Sequence, residues 1–61
     1  MPMIRVELHR GRTQEQKTAC AKEIVRAVQQ HLNAPPEATQ VVFVDVDPAD
    51  WMLGQKLAGK G

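Results

Sequence analysis

The chain has 61 residues, with eight lysines and arginines against seven aspartates and glutamates, a net charge of +1. That length holds one domain, residues 1–61, and a chain near this size buries only about 60% of the surface it exposes when unfolded. Cys20 is the only cysteine, so no internal disulfide can form, and with His9 and His31 it makes no zinc-type ligand cluster. Self-association is the route to stability that remains.

The near-neutral balance provides no basic stripe for nucleic acid. No apolar run approaches the roughly 18 residues of a membrane span. Neither nucleic acid nor a membrane is therefore expected as a partner. Met1-Pro2-Met3-Ile4-Arg5-Val6 has neither the charged segment nor the long apolar segment of a secretory signal, and a free cysteine suits a reducing compartment, so a cytoplasmic location is expected.

Ile4, Val6 and Leu8 alternate with Met3, Arg5 and Glu7, the period-two pattern of a strand with one face on a core. His9-Arg10-Gly11-Arg12 breaks that pattern. Thr13 followed by Gln16 reads as a capping box opening a helix from about Gln14 to Leu32. Cys20, Ala21, Ile24, Val25, Ala27, Val28 and Leu32 form its apolar face at three- and four-residue spacing. Asn33 can end the helix in a left-handed conformation, and Pro35-Pro36 forbids its continuation. Cys20 reads as a small hydrophobe of that face, and His31 as a side chain that complements the helix dipole.

Val41 to Val46 is a second strand, apolar on nearly both faces. Strand, helix, strand predicts a right-handed β-α-β unit with parallel strands. From Asp47 to Gly61 a loop is expected, with a short extended piece at Gln55 to Ala58. Such a unit leaves one sheet face uncovered, and another copy of the chain is its simplest cover.

Three residues could carry chemistry. Pro2 follows the initiator methionine, whose removal a small second residue permits. The chain would then begin with a secondary amine, although a proline can equally just start an edge strand. Such an amine is a useful base only when desolvation or nearby cations tune it. Arg12, just after Gly11, is either a solvated loop residue or a two-pronged grip for a carboxylate. Trp51 is either a core or interface anchor or the apolar wall of a pocket.

Pro2 at the start of a strand, with Gly11-Arg12-Thr13-x-Glu15-Gln16-Lys17 opening the helix, resembles the 4-oxalocrotonate tautomerase family. Ala34-Pro35 before a valine-rich strand, then an aromatic and Leu53-Gly54 with Lys56-Leu57-Ala58, continues the resemblance over essentially the whole chain. It implies an α/β (α+β) subunit, a single β-α-β unit with a short C-terminal hairpin, assembled into a homohexamer as a trimer of dimers. It implies keto-enol tautomerisation of 2-hydroxydienoates or related 2-oxo acid enols, with no metal or organic cofactor. By resemblance Pro2 is the general base, Arg12 binds a substrate carboxylate, reaching into a neighbour's site, and Trp51 is the apolar wall.

The chain departs from the family pattern at Gln40, which stands where the family has a second active-site arginine. His9 replaces an aliphatic pocket residue, and Arg10 adds a cation beside it. Gln40, His9 and Arg10 are thus candidate substrate-binding residues, with Arg10 or Arg5 a candidate stand-in for the missing charge. Two other readings attach to the departure at Gln40: a hydratase or dehalogenase of the wider superfamily, with Asp45 or Asp50 activating water, and a weakly active or non-catalytic oligomeric homologue. A monoacid enol, needing one cationic grip, is an alternative substrate to the dicarboxylate 2-hydroxymuconate.

Overall fold

In the computed structural model, which describes residues 1–58, β1 (Met3–His9) pairs in parallel with β2 (Gln40–Val46). The helix α1 (Gln14–Leu32) connects them, and a short antiparallel hairpin of β3 (Met52–Leu53) and β4 (Lys56–Leu57) closes the chain. The fold is the expected β-α-β unit with a C-terminal hairpin. The end of the expected tail, 59–61, lies outside the described residues.

The helix begins and ends where its capping residues dictate. The Thr13 hydroxyl accepts from the Gln16 backbone N–H at 3.1 Å, and the Gln16 side chain accepts from the Thr13 N–H at 2.9 Å. Two orphan donors of the first turn are thereby satisfied at once. At the other end Asn33 adopts the left-handed conformation, φ 57°, and its N–H bonds to the Gln29 carbonyl. Pro35 and Pro36 follow, and a single 3-10 turn over Pro36–Ala38 delivers the chain to β2.

The register sets Ile4 beside Val41, Val6 beside Phe43 and Leu8 beside Asp45, so these six share one face. The helix lies over that face. Lys17, Ala21 and Val25 line a groove with Val41 and Phe43. Lys17 Nζ bonds Asp45 Oδ2 at 2.7 Å, tying the start of the helix to the sheet. Ala21, Ile24, Val25 and Val28 are half-buried as their spacing predicts, whereas Cys20, Ala27 and Leu32 are exposed. Cys20 and Ala27 sit at one margin of the apolar stripe and Leu32 at the last position of the helix, and a sheet only two strands wide does not cover them.

The opposite sheet face carries Met3, Arg5, Glu7 and His9 beside Gln40, Val42, Val44 and Val46. Met3 is 61% exposed and Val42 36% exposed. No described residue is fully buried in the single chain. The radius of gyration is 14.1 Å, against about 10.5 Å expected for a compact domain of this length. The described residues of one copy therefore enclose no core.

The tail is more ordered than a loop. Asp47 caps a 3-10 turn over Pro48–Asp50 by accepting from the Ala49 N–H at 3.0 Å. The hairpin after it reverses at Gly54, whose φ of +67° suits a two-residue turn between paired strands. Ala58 N–H donates to the Trp51 carbonyl at 2.7 Å and closes the hairpin base. Strands of two residues are too short to show a hydrophobic period, so only the later of the two was foreshadowed by its composition.

Thr13→Ala should cost about 1 kcal/mol of stability by removing the helix cap. Denaturant midpoints at one fixed protein concentration measure this, and Thr13→Ser should retain most of the cap.

Candidate active site

The six candidate residues fall into two groups at opposite ends of β1. Pro2 and Gln40 meet at its start. The Gln40 N–H donates to the Pro2 carbonyl at 3.0 Å, extending the ladder one step before the strand, so β2 begins at Gln40 rather than Val41. The Gln40 side-chain amide reaches across the strand end and donates to Met1 Sδ at 3.3 Å. Met1 is 87% exposed, so this end of the strand is open.

His9, Arg10, Arg12 and Trp51 meet at the far end. With Glu7, Leu8 and Gly11 they line an open cavity of about 570 Å³. From Pro2 to His9 is seven residues of extended chain, about 23 Å at the rise of a strand. A parallel pair keeps this separation rigid, because β2 runs alongside the whole of β1.

Local geometry places each member of the second group. Arg10 N–H bonds to the Val46 carbonyl at 3.0 Å, so the ladder continues one residue past β1. Gly11 then turns the chain at φ +121°, a conformation that side-chain-bearing residues rarely adopt. No atom lies within 4 Å of a Cβ built there, so the need for glycine is conformational. The turn puts Arg12 in the lining of the cavity, immediately before the helix cap.

Trp51 arrives from the tail and meets His9 edge to face, ring centroids 4.4 Å apart at 86°. The His9 Nε2 is buried and has no oxygen or nitrogen partner among the described residues. What holds Trp51 there is the turn before it. Arg10 Nη2 pairs with Asp47 Oδ2 at 3.2 Å while Asp47 Oδ1 caps Ala49, and Trp51 N–H donates to the Pro48 carbonyl at 3.2 Å. Asp47 thus links the end of β1 to the aromatic wall. Asp at the first and Pro at the second position of a turn was the signal that could have found it.

Charge is almost balanced in this cavity. Glu7 is held by Arg5 at 3.0 Å and Arg10 by Asp47, while Arg12 has no carboxylate partner among the described residues. Arg5 lies on the face opposite Ile4 and Val6, as the alternation predicts. Within one chain Arg10 is at the wrong end of β1 to replace a charge beside Gln40. It serves the tail turn instead. Asp45 is committed to Lys17, and Asp50 lines a separate open groove with Glu7, Val46, Trp51 and Met52.

The family model described as "Tautomerase enzyme" matches residues 2–61. A probable tautomerase of Lactococcus lactis is 48% identical over 46 residues, covering 75% of this chain and 75% of the relative. The 2-hydroxymuconate tautomerase of Pseudomonas putida is 28% identical over 60 residues, covering 98% of this chain and 95% of its own. Among solved structures, apo unfused 4-OT superposes with a TM-score of 0.87 at 35% identity, covering 93% of each chain.

Trp51 is the only tryptophan, so its emission reports on this wall alone. Asp47→Ala removes both cap and ion pair and should shift that emission to the red as the indole gains water. Asp47→Asn keeps an oxygen to cap Ala49 and loses only an exposed ion pair worth about 0–1 kcal/mol. Its spectrum should stay close to that of the native chain.

Proposed function

Because the chain belongs to the 4-oxalocrotonate tautomerase family, we propose that it is a cofactor-independent isomerase interconverting the enol and keto forms of a 2-hydroxydienoate or related 2-oxo acid enol. The base is the Pro2 nitrogen after Met1 has been removed. In the unprocessed chain that nitrogen is an amide whose lone pair is delocalised into the carbonyl, and it cannot take a proton. Once free, it accepts the proton of the enol hydroxyl. The O–H electrons form the C=O bond, the double bonds shift along the chain, and the prolinium returns the proton to a distal carbon.

The division of the candidate residues between two ends of one strand is the observation that carries this reading. A small dienoate is far shorter than the separation between Pro2 and Arg12, so a working site needs the start of β1 from one copy and its far end from another. The uncovered sheet face and the lack of a core support the same arrangement. We take the assembly to be a homohexamer, a trimer of dimers in a soluble cytoplasmic protein. In it Arg12 grips a substrate carboxylate with its paired N–H donors. Trp51 and His9 form the wall that desolvates the amine and favours its neutral form. Gln40 donates a neutral hydrogen bond to the oxygen that becomes the carbonyl.

Intact-mass measurement should show loss of Met1. An ultraviolet assay of ketonisation with 2-hydroxymuconate and phenylenolpyruvate should then lose about 10²- to 10⁴-fold in rate for Pro2→Ala, the range for a general base. Equal rates in the two proteins would overturn proline catalysis. The native rate should fall on the acid side, where the amine is protonated. Arg12→Ala should lose about 2–4 kcal/mol of transition-state stabilisation. Pro2→Ala and Arg12→Ala chains, unfolded together and reassembled as a mixture, should recover activity that neither has alone. A mixture no more active than its components would place both residues in one chain's site.

A further inference from the structure

The two half-sites differ in charge, and the difference defines what can bind across them. Among the described residues, the neighbouring side chains at the start of β1 are Met1, Pro2, Met3, Thr39 and Gln40, all uncharged. The first cation along the strand is Arg5, which is held by Glu7. At the far end the cavity has two cations and one carboxylate in its lining. Arg10 is matched by Asp47 and Glu7 by Arg5, which leaves the Arg12 guanidinium as the surplus charge. The amine that acts as base is itself neutral when competent.

Resting on the tautomerase reading above, we propose that the composite site is built for a substrate with a single carboxylate. That carboxylate docks on Arg12. The remainder of the molecule is neutral and directs a hydroxyl or carbonyl oxygen toward the Gln40 amide. The Gln40 amide N–H can donate to that oxygen both as hydroxyl and as carbonyl, so the contact persists while the hydroxyl proton passes to Pro2. A second carboxylate at this end would lose its water for one neutral hydrogen bond and no opposing charge, an unfavourable exchange.

Binding and turnover test this separately. A saturated dicarboxylate and its monomethyl ester are unreactive probes of the same shape, and Trp51 emission reports their binding to the processed full-length protein. At about pH 8.5, above the range in which a histidine changes charge, the monoester should bind at least as tightly as the diacid. A second cation in the site would instead favour the diacid by roughly 10- to 150-fold, the range for a charge-assisted contact. That result, or failure of the protein to bind either probe, overturns the proposal. Gln40→Arg should shift the preference toward the diacid, and Arg12→Gln should weaken both probes. In the enzymatic assay the kcat/KM for phenylenolpyruvate should exceed that for 2-hydroxymuconate in the native protein. Monoester preference without turnover of either enol would keep the charge assignment and reject the tautomerase reading. Turnover favouring the dicarboxylate would do the reverse.

Discussion

Everything in this subunit depends on the parallel pairing of β1 with β2. Seven consecutive residue pairs, from Met3 with Gln40 to His9 with Val46, fix the longest extended framework among the described residues. The ladder reaches one step beyond each end, through Gln40 N–H to the Pro2 carbonyl and Arg10 N–H to the Val46 carbonyl. Those two outermost hydrogen bonds anchor the residues proposed to do the chemistry. Pro2 is thus part of the sheet through its carbonyl, while its nitrogen has no N–H to contribute to the ladder. A proline is compatible with both roles because the first position of a strand asks nothing of its nitrogen.

The two faces of that ladder are served differently. The helix covers one face through Lys17, Ala21 and Val25 and is fastened by the Lys17–Asp45 pair. Lys17 is only 17% exposed on its side chain, so this pair is shielded more than the others, which lie between exposed partners. Surface pairs contribute about 0–1 kcal/mol each and set geometry more than stability. Arg10–Asp47 has that character. Its value lies in aligning the tail turn whose next residues carry Trp51 to His9.

The helix was legible from the sequence to the residue, because its signals are local. A threonine and a glutamine three apart, and an asparagine before two prolines, each satisfy or forbid a specific backbone hydrogen bond. The strands were legible from alternation, although Gln40 joined β2 through a bond to Pro2 that no local pattern announces. The tail was not, since Pro48–Asp50 and the two-residue strands of the hairpin have no periodicity to read. The resemblance, carried by Gly11 through Lys17 and by Pro2, anticipated the hairpin where composition did not. Pro2, Arg12 and Trp51 were identifiable by chemistry and Gln40, His9 and Arg10 through the resemblance, but their sorting was not. That His9, Arg10, Arg12 and Trp51 gather in one cavity while Pro2 and Gln40 lie about 23 Å away follows from strand length and direction, which residue types alone do not encode.

Met1 connects the processing of the chain to both halves of the proposed proton transfer. Its carbonyl holds the Pro2 nitrogen as an amide, and its thioether occupies the Gln40 amide at 3.3 Å. Sulfur is a weak acceptor, so the Gln40 donor is loosely engaged and readily redirected. One cleavage would therefore release a lone pair on nitrogen and a hydrogen-bond donor beside it, at the same strand end and without any change in the fold. Nothing on β1 or β2 needs to move, because the bond that holds this end is Gln40 N–H to the Pro2 carbonyl, and removal of Met1 leaves it intact. Under the proposed mechanism the chain folds on its ladder before it is competent, and the residue whose loss makes it competent is one that the ladder does not use.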